Sequence, residues 1–236
     1  MQVDLRRADE RFLTRGPGVR TRHAFSFGAH YDPAHTGFGP LVVHDDQLLD
    51  PGAGFDAHPH RDLEIVSWVV EGALLHEDSG GGHSTAAAGS VQRLFAGAGV
   101  VHSERCAVPT RFVQAWLLPD EPGGDVVHEV VDVDPWLLRD ALVVVAGGEA
   151  RVGLRRRGAR LLVGRLGEGV SVLLPEAALR HTFLARGSAV LTGQPQGGQV
   201  VAELLEGDAA LITGDGSLRL TARSECEVLL WLLAAV

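Results

Sequence analysis

The sequence predicts an all-β fold of two tandem β-barrels with few short helices. Three observations support this. Short runs rich in Val, Leu and Ile recur along the 236 residues, and 30 glycines and 11 prolines break them at short intervals. Apolar patterns with a helical period sustained over ten residues or more are scarce. Ile65–Val70 ends at Glu71-Gly72, Phe112–Leu118 ends at Pro119, and Leu142–Val145 ends at Gly147-Gly148. Leu161–Val163, Val170–Leu174, Ala189–Leu191 and Val228–Trp231 follow the same plan. Short β-branched runs bounded by turn residues build sandwiches and barrels. Ser79-Gly80-Gly81-Gly82 reads as a flexible hairpin turn. The best helix candidates are Trp136–Leu142 and Val201–Leu205. The polar, turn-rich segment Pro119–Asp125 reads as a linker. Histidine usage changes across it: ten of the 11 histidines lie at or before His128, and only His181 lies beyond. The expected domains are therefore residues 1–125, rich in histidine, and 126–236.

With 45% hydrophobic residues the chain has enough apolar material for a sizeable core. Its net charge is −9, and all 21 cations are arginine, against 30 acids. An acidic chain repels phosphate backbones and anionic bilayers, so neither nucleic acid nor membrane is an expected partner. No apolar segment follows the charged start Met1–Arg7, so no secretory signal is expected. The longest apolar stretch, Val228–Val236, falls far short of the ~20 residues of a membrane helix. Cys106 and Cys226 read as free thiols in a reducing cytoplasm; the alternative is one disulfide between them.

Two short motifs carry chemistry. In His58-Pro59-His60, an extended backbone projects residues i and i+2 from the same face, about 7 Å apart at a rise of ~3.3 Å per residue. That spacing suits two imidazoles converging on one ion. In Gly97-Ala98-Gly99-Val100-Val101-His102-Ser103-Glu104 the same relation links His102 and Glu104, and the glycines allow a tight turn just before them. It is not a phosphate-binding glycine loop, since no βαβ pattern surrounds it. A small barrel can bring the two strands side by side with all four side chains inward. Three imidazoles and one carboxylate suit Fe(II), and equally Mn, Co, Ni, Cu or Zn. The competing reading, four ordinary polar residues, requires burying them together without an ion, which is costly.

These residues resemble a known family. Gly54-Phe55-Asp56-Ala57-His58-Pro59-His60-Arg61-Asp62-Leu63-Glu64 resembles the first metal-binding motif of the pirins, within the cupin superfamily. Ala96–Glu104 resembles the second. The likeness extends to His23–Phe27, Tyr31-Asp32-Pro33, Asp45-Asp46 and His76–Ser79, and so covers about the first half of the chain. The resemblance implies a jelly-roll-like bicupin, a single metal ion per chain held in the N-terminal barrel, and a monomer. Carried over, the metal ligands are His58, His60, His102 and Glu104. Many cupins take their carboxylate shortly after the H-x-H, here Glu64; pirins use the later one, which gives Glu64 a structural role. Arg105-Cys106 stands where relatives commonly have Tyr-Asn, and Cys106 is expected to be buried and inert. The second barrel, with His181 alone, is expected to be a structural lid or partner barrel.

Bacterial pirins similar to this chain are quercetin 2,3-dioxygenases. The resemblance therefore implies a metal-dependent oxidoreductase, Fe(II) favoured, that opens a flavonol or related enediol with O2 and releases carbon monoxide. Glu104 would serve as base as well as ligand. Phe25, Phe27 and Trp68 are candidates for an aromatic substrate wall, and His23, His76 and Asp78 for the rim or the surroundings of the ligands. The alternative is a redox-sensing, metal-dependent interaction protein that modulates a transcription factor or enzyme. The basic run Arg155-Arg156-Arg157 reads as a solvated turn ahead of a binding patch.

Overall fold

The computed structural model describes residues 1–193 and 200–235. Among them every regular element is a strand. β1 (Gln2–Arg6), β2 (Phe12–Gly16), β3 (Val19–His23), β4 (Leu41–Leu49) and β5 (Gly54–His60) open the chain. β6 (Glu64–Glu71), β7 (Ala73–Asp78), β8 (His83–Ala87), β9 (Ser90–Phe95), β10 (Val100–Arg105) and β11 (Thr110–Leu117) follow. Then come β12 (Val127–Asp132), β13 (Val143–Ala146), β14 (Arg160–Leu166), β15 (Ser171–Leu174) and β16 (Leu179–Arg186). β17 (Ser188–Gly193), β18 (Val200–Leu205), β19 (Ala209–Thr213), β20 (Leu218–Ala222) and β21 (Cys226–Leu233) complete it. Each predicted β-run falls on one of these strands. The last residue of the apolar run 228–236 lies outside the described residues.

Neither helix candidate forms. Residues 136–142 make turns, opened by Asp134 Oδ1 accepting the Trp136 N–H at 2.9 Å, before β13 begins. Seven residues are too few to offset the cost of helix nucleation. Val201–Leu205 lies in β18, which pairs along β17 from Gly193↔Val200 to Ser188↔Leu205. A tertiary ladder overrides a weak helical period there.

The chain forms two compact units. The N-terminal unit comprises Phe12–Val133 and Leu154–Arg157; the C-terminal unit comprises Met1–Arg11, Asp134–Gly153 and Gly158–Val236. A single cut at residue 125 does not describe this division. β12 still pairs with β9 in the N-terminal unit. β1 pairs with β19, from Gln2↔Thr213 to Arg6↔Ala209, and packs Val3 and Leu5 against the apolar core of the C-terminal unit.

In the C-terminal unit a six-stranded sheet, β1-β19-β16-β21-β14-β13, and a four-stranded sheet, β15-β20-β17-β18, share one apolar core. Leu162, Leu184, Ile212, Val228 and Leu230 come from the larger sheet, and Leu174, Leu191, Leu204, Leu218 and Leu220 from the smaller. In the N-terminal unit a seven-stranded sheet, β12-β9-β6-β11-β4-β3-β2, is joined by a four-stranded sheet, β5-β10-β7-β8. Its apolar interior is split. One cluster gathers Leu49, Val69, Leu74, Ala86, Cys106 and Phe112; another gathers Ile65, Leu94, Ala96 and Val100. Polar side chains are also buried in this unit, and they build the site described below.

His181 on β16 is completely buried in the C-terminal unit. Burial first, and the Arg11 charge second, push its pKa down to about 3. The unfolded chain therefore takes up a proton near pH 6.5 that the folded chain refuses. Stability from this group is complete above that pH and is lost as pH falls toward 3, by about 1.4 kcal/mol per pH unit. His181→Gln should flatten the fall in urea midpoint between about pH 7 and about pH 4.5. A fall as steep as that of the wild type would show that His181 is not held neutral by burial.

Candidate metal centre

β10 lies at the middle of the site because it pairs on both edges. Against β5 the register is Val100↔His60, Val101↔Pro59 and His102↔His58. Against β7 it is His102↔Asp78 and Glu104↔His76. A β-bulge between His102 and Glu104 then restores pairing at Glu104↔Phe55. Bulges re-aim side chains near sites. Two glycines make the approach feasible. A Cβ on Gly54 would collide with the Glu104 carbonyl, and Gly97, at φ +45°, turns the chain into β10 where a Cβ would meet the Gly124 carbonyl. Along β10, Val100, His102 and Glu104 are buried while Val101 and Arg105 are exposed, as a two-residue period requires.

The three predicted imidazoles converge. Ring centroids lie 4.7 Å apart for His58–His60, 4.6 Å for His58–His102 and 5.0 Å for His60–His102. One ligand nitrogen from each lies within 4.8 Å of the other two. His58 donates its Nδ1–H to the Asp56 carbonyl at 2.7 Å, which leaves the Nε2 lone pair free. The Nε2 atoms of His60 and His102 are buried with no hydrogen-bond partner among the described residues. Burial, reinforced by the neighbouring His58, pushes the His60 pKa down to about 4. Burial together with His58, His60, His76 and His128 pushes that of His102 to about 3. Neutral, lone-pair-bearing nitrogens are what a first-row divalent ion takes up, so these residues fit such an ion.

Glu104 joins from the side. One of its oxygens groups with ring nitrogens of His102 and His76 within 4.8 Å, rather than with His58 and His60. Its oxygens accept the side-chain amides of Gln92 and Gln114, each at 2.9 Å. The Trp116 indole N–H donates to Gln114 Oε1 at 2.9 Å. An indole only donates, so it fixes the Gln114 amide with its NH2 toward Glu104. Burial raises the Glu104 pKa, with the amide of Gln114 and the charges of His76 and His58 working against it. Gln92 and Gln114 belong to one directly paired row across the larger sheet: His23↔Asp45↔Gln114↔Ser67↔Gln92. All five are buried. Sequence reasoning missed both glutamines, although the alternation Phe112-x-Gln114-x-Trp116 already set a polar residue on an inward face.

Glu64 is engaged elsewhere. It is fully buried, accepts Arg93 Nε at 2.7 Å, and caps the backbone N–H groups of Arg155 at 2.6 Å and Arg156 at 3.2 Å. It belongs to no group of potential ligands among the described residues. The basic run is likewise engaged locally, since Arg156 and Arg157 pair with Asp120 at 3.1 and 3.0 Å. Cys106 is buried, and its thiol donates to the Asp50 carbonyl at 3.1 Å.

A cavity of about 780 Å³ opens beside the cluster, with His58, Glu104, Gln114, Trp116, Phe27 and His23 in its walls. Phe27 meets Trp116 edge-on at 5.5 Å and stacks on His23 at 5.3 Å. His23 is held by Asp45 at 2.9 Å. Phe25 and Trp68 are core residues rather than cavity walls, at 3% and 0% exposure; Trp116 stands where an aromatic wall was expected of them. His76 is not on a rim but buried against His102, held by partly buried Asp78, with His128 stacked on it at 3.9 Å. Burial would raise the Asp78 pKa, but hydrogen bonds from His76, Gly82 and Gly80 outweigh it and hold it low.

Two antiparallel β-units, one carrying an inward histidine–carboxylate cluster, define a two-barrel cupin. The Pirin family profile matches residues 6–117. A Mycobacterium tuberculosis protein named "Putative quercetin 2,3-dioxygenase" is 42% identical over 97% of this chain and 94% of that one. The Escherichia coli K12 quercetin 2,3-dioxygenase is 39% identical over 51% of this chain and 54% of its own. The chain belongs to the pirin family. A bacterial pirin of Escherichia coli crystallised with nickel(II) superimposes with a TM-score of 0.86 at 28% identity, over 100% of both chains. A quercetin 2,3-dioxygenase of Acinetobacter baumannii shares the fold, with a TM-score of 0.71 at 22% identity over 93% of this chain and 82% of that one.

The two carboxylates should separate cleanly. Glu64→Ala strips a buried guanidinium of one partner and frees the residue 155–156 backbone, at a cost on the order of 3–5 kcal/mol. Metal uptake per folded chain should persist. Glu104→Ala and His58→Ala should abolish metal retention. Urea denaturation and elemental analysis of the three variants read both quantities; an empty site in Glu64→Ala alone would reverse the assignment.

Proposed function

We propose that this protein is a metal-dependent dioxygenase that cleaves quercetin, or a related flavonol or enediol, with O2 and releases carbon monoxide. The observation that carries the reading is the convergence of three imidazoles beside a buried carboxylate, at the wall of an aromatic-lined cavity. The names borne by its relatives support the same chemistry. His58, His60, His102 and Glu104 would hold the ion, with Fe(II) favoured and Cu, Mn, Co, Ni or Zn accepted by the same donors. Once bound, the ion supplies Lewis acidity toward the 3-hydroxyl and adjacent carbonyl of the flavonol.

The chain's own residues do the remainder. The Glu104 oxygen that does not hold the ion keeps a lone pair beyond its amide donor and can take the hydroxyl proton. Phe27 and Trp116 give a planar aromatic substrate an apolar wall. His23 is fixed beside them by Asp45 on Nδ1 at 2.9 Å and by Thr14 Oγ1 on Nε2 at 3.0 Å. The alternative reading, an interaction protein, has weaker support, since two side chains of its basic run, Arg156 and Arg157, already pair with Asp120.

Protein loaded in turn with Fe, Cu, Mn, Co and Ni should consume quercetin aerobically and release carbon monoxide with at least one of them. Absence of carbon monoxide across the whole series would overturn the dioxygenase reading in favour of the interaction protein.

A further inference from the structure

Outside the proposed ligands, partly buried Asp78 and buried His76 form a chain that ends on one of them, with partly buried His128 stacked alongside. Asp78, at the end of β7, accepts the Gly80 and Gly82 backbone N–H groups on Oδ1 at 2.7 and 3.1 Å. This fixes the carboxylate and turns Oδ2 toward His76 Nε2, 3.1 Å away. His76 is 1% exposed, and its Nδ1 lies 3.4 Å from His102 Nδ1. The His128 ring stacks on His76 with planes 9° apart, and its own Nε2 lies 3.4 Å from Ser84 Oγ.

The hydrogens along this chain follow from the chemistry of its ends. A carboxylate only accepts, so His76 Nε2 carries the hydrogen it donates. In the neutral ring, Nδ1 is then the acceptor, and His102 must place its hydrogen on Nδ1 to meet it. His102 Nε2, buried and unpartnered among the described residues, keeps a lone pair. We propose that Asp78 and His76 form a tautomer relay that locks His102 with its Nε2 lone pair presented to the metal, while His128 clamps the His76 ring. The proposal rests on the reading of His102 as a ligand. Carboxylate–histidine partners of this kind orient ligands and tune their basicity.

The same residues have the spacing of a second cation site, since His76, Asp78 and His128 bring one ligand atom each within 4.8 Å. Ring orientation argues against it. An ion in the plane of one ring would lie far out of the plane of the other, because the two planes are nearly parallel. Asp78 Oδ1 is also already saturated by backbone. The arrangement acts on His102 instead, and His76 and Asp78 are positioning residues.

The direct test is Asp78→Asn. With its oxygen retained by Gly80 and Gly82, the amide turns its NH2 toward His76, drives the His76 hydrogen to Nδ1 and forces the wrong tautomer on His102. Co(II) affinity, read by chelator competition, should fall about 10–100-fold with native circular dichroism. The Co(II) visible spectrum should change with it. His76→Leu should lose as much, whereas His76→Asn, whose Oδ1 stands near the lost Nδ1, should recover both affinity and spectrum. Wild-type Co(II) binding in Asp78→Asn would overturn the relay, as would two ions per wild-type chain falling to one in His76→Leu. His58→Ala separates the levels of failure. Unchanged affinity there overturns the ligand assignment and the relay with it; loss there but none in Asp78→Asn overturns the relay alone.

Discussion

The pairing of β10 between β5 and β7 is the constraint on which the rest depends. Side chains alternate along a strand, so one choice of register decides the direction of every residue in the cluster. With His102 opposite His58 on one edge and Asp78 on the other, His60, His76 and Glu104 also face the interior. A slip of β10 by one residue would turn His102 and Glu104 to solvent and bring Val101, Ser103 and Arg105 inward. The register is held by the apolar partners of the same face, Val100 in one core cluster and Leu74 in the other, and by the close approach that Gly54 permits.

An interior of this kind has an energetic cost that the C-terminal unit bears at fewer positions, His181 and Arg180 among them. There, leucine and valine from two sheets fill one continuous core. In the N-terminal unit the apolar clusters flank a buried polar row, His23, Asp45, Gln114, Ser67 and Gln92, facing the cluster on β10. Unpaired polar groups in such surroundings are expensive, and here most are paired. Glu104 rests on two glutamines, Gln114 on Trp116, His58 on a carbonyl and His76 on Asp78. Nε2 of His60 and Nε2 of His102, without a hydrogen-bond partner among the described residues, are nitrogens the proposed ion would satisfy.

Much of this was legible in the sequence because it depends on a two-residue period. His58-x-His60 and His102-x-Glu104 show their shared faces without coordinates, and the β-branched runs mark the strands. What depends on tertiary pairing was not legible. The resemblance separated Glu104 from Glu64, but not what holds Glu64: Arg93, and the backbone of Arg155 and Arg156 about ninety residues further along the chain. The exchange of β1 into the C-terminal unit leaves no mark on its own residues. Val201–Leu205 was misread because a short apolar run is ambiguous until its partner strand is known. His128 entered the sequence analysis only as a count, since its place on His76 requires β12 to return beside the smaller sheet.

Anomalous diffraction from crystals of the metal-loaded protein tests the central claim most directly. The account predicts one strong peak per chain, within about 2.0–2.2 Å of Nε2 of His58, His60 and His102 and of a Glu104 oxygen. A peak bound elsewhere, or none in a well-ordered N-terminal unit, would contradict it.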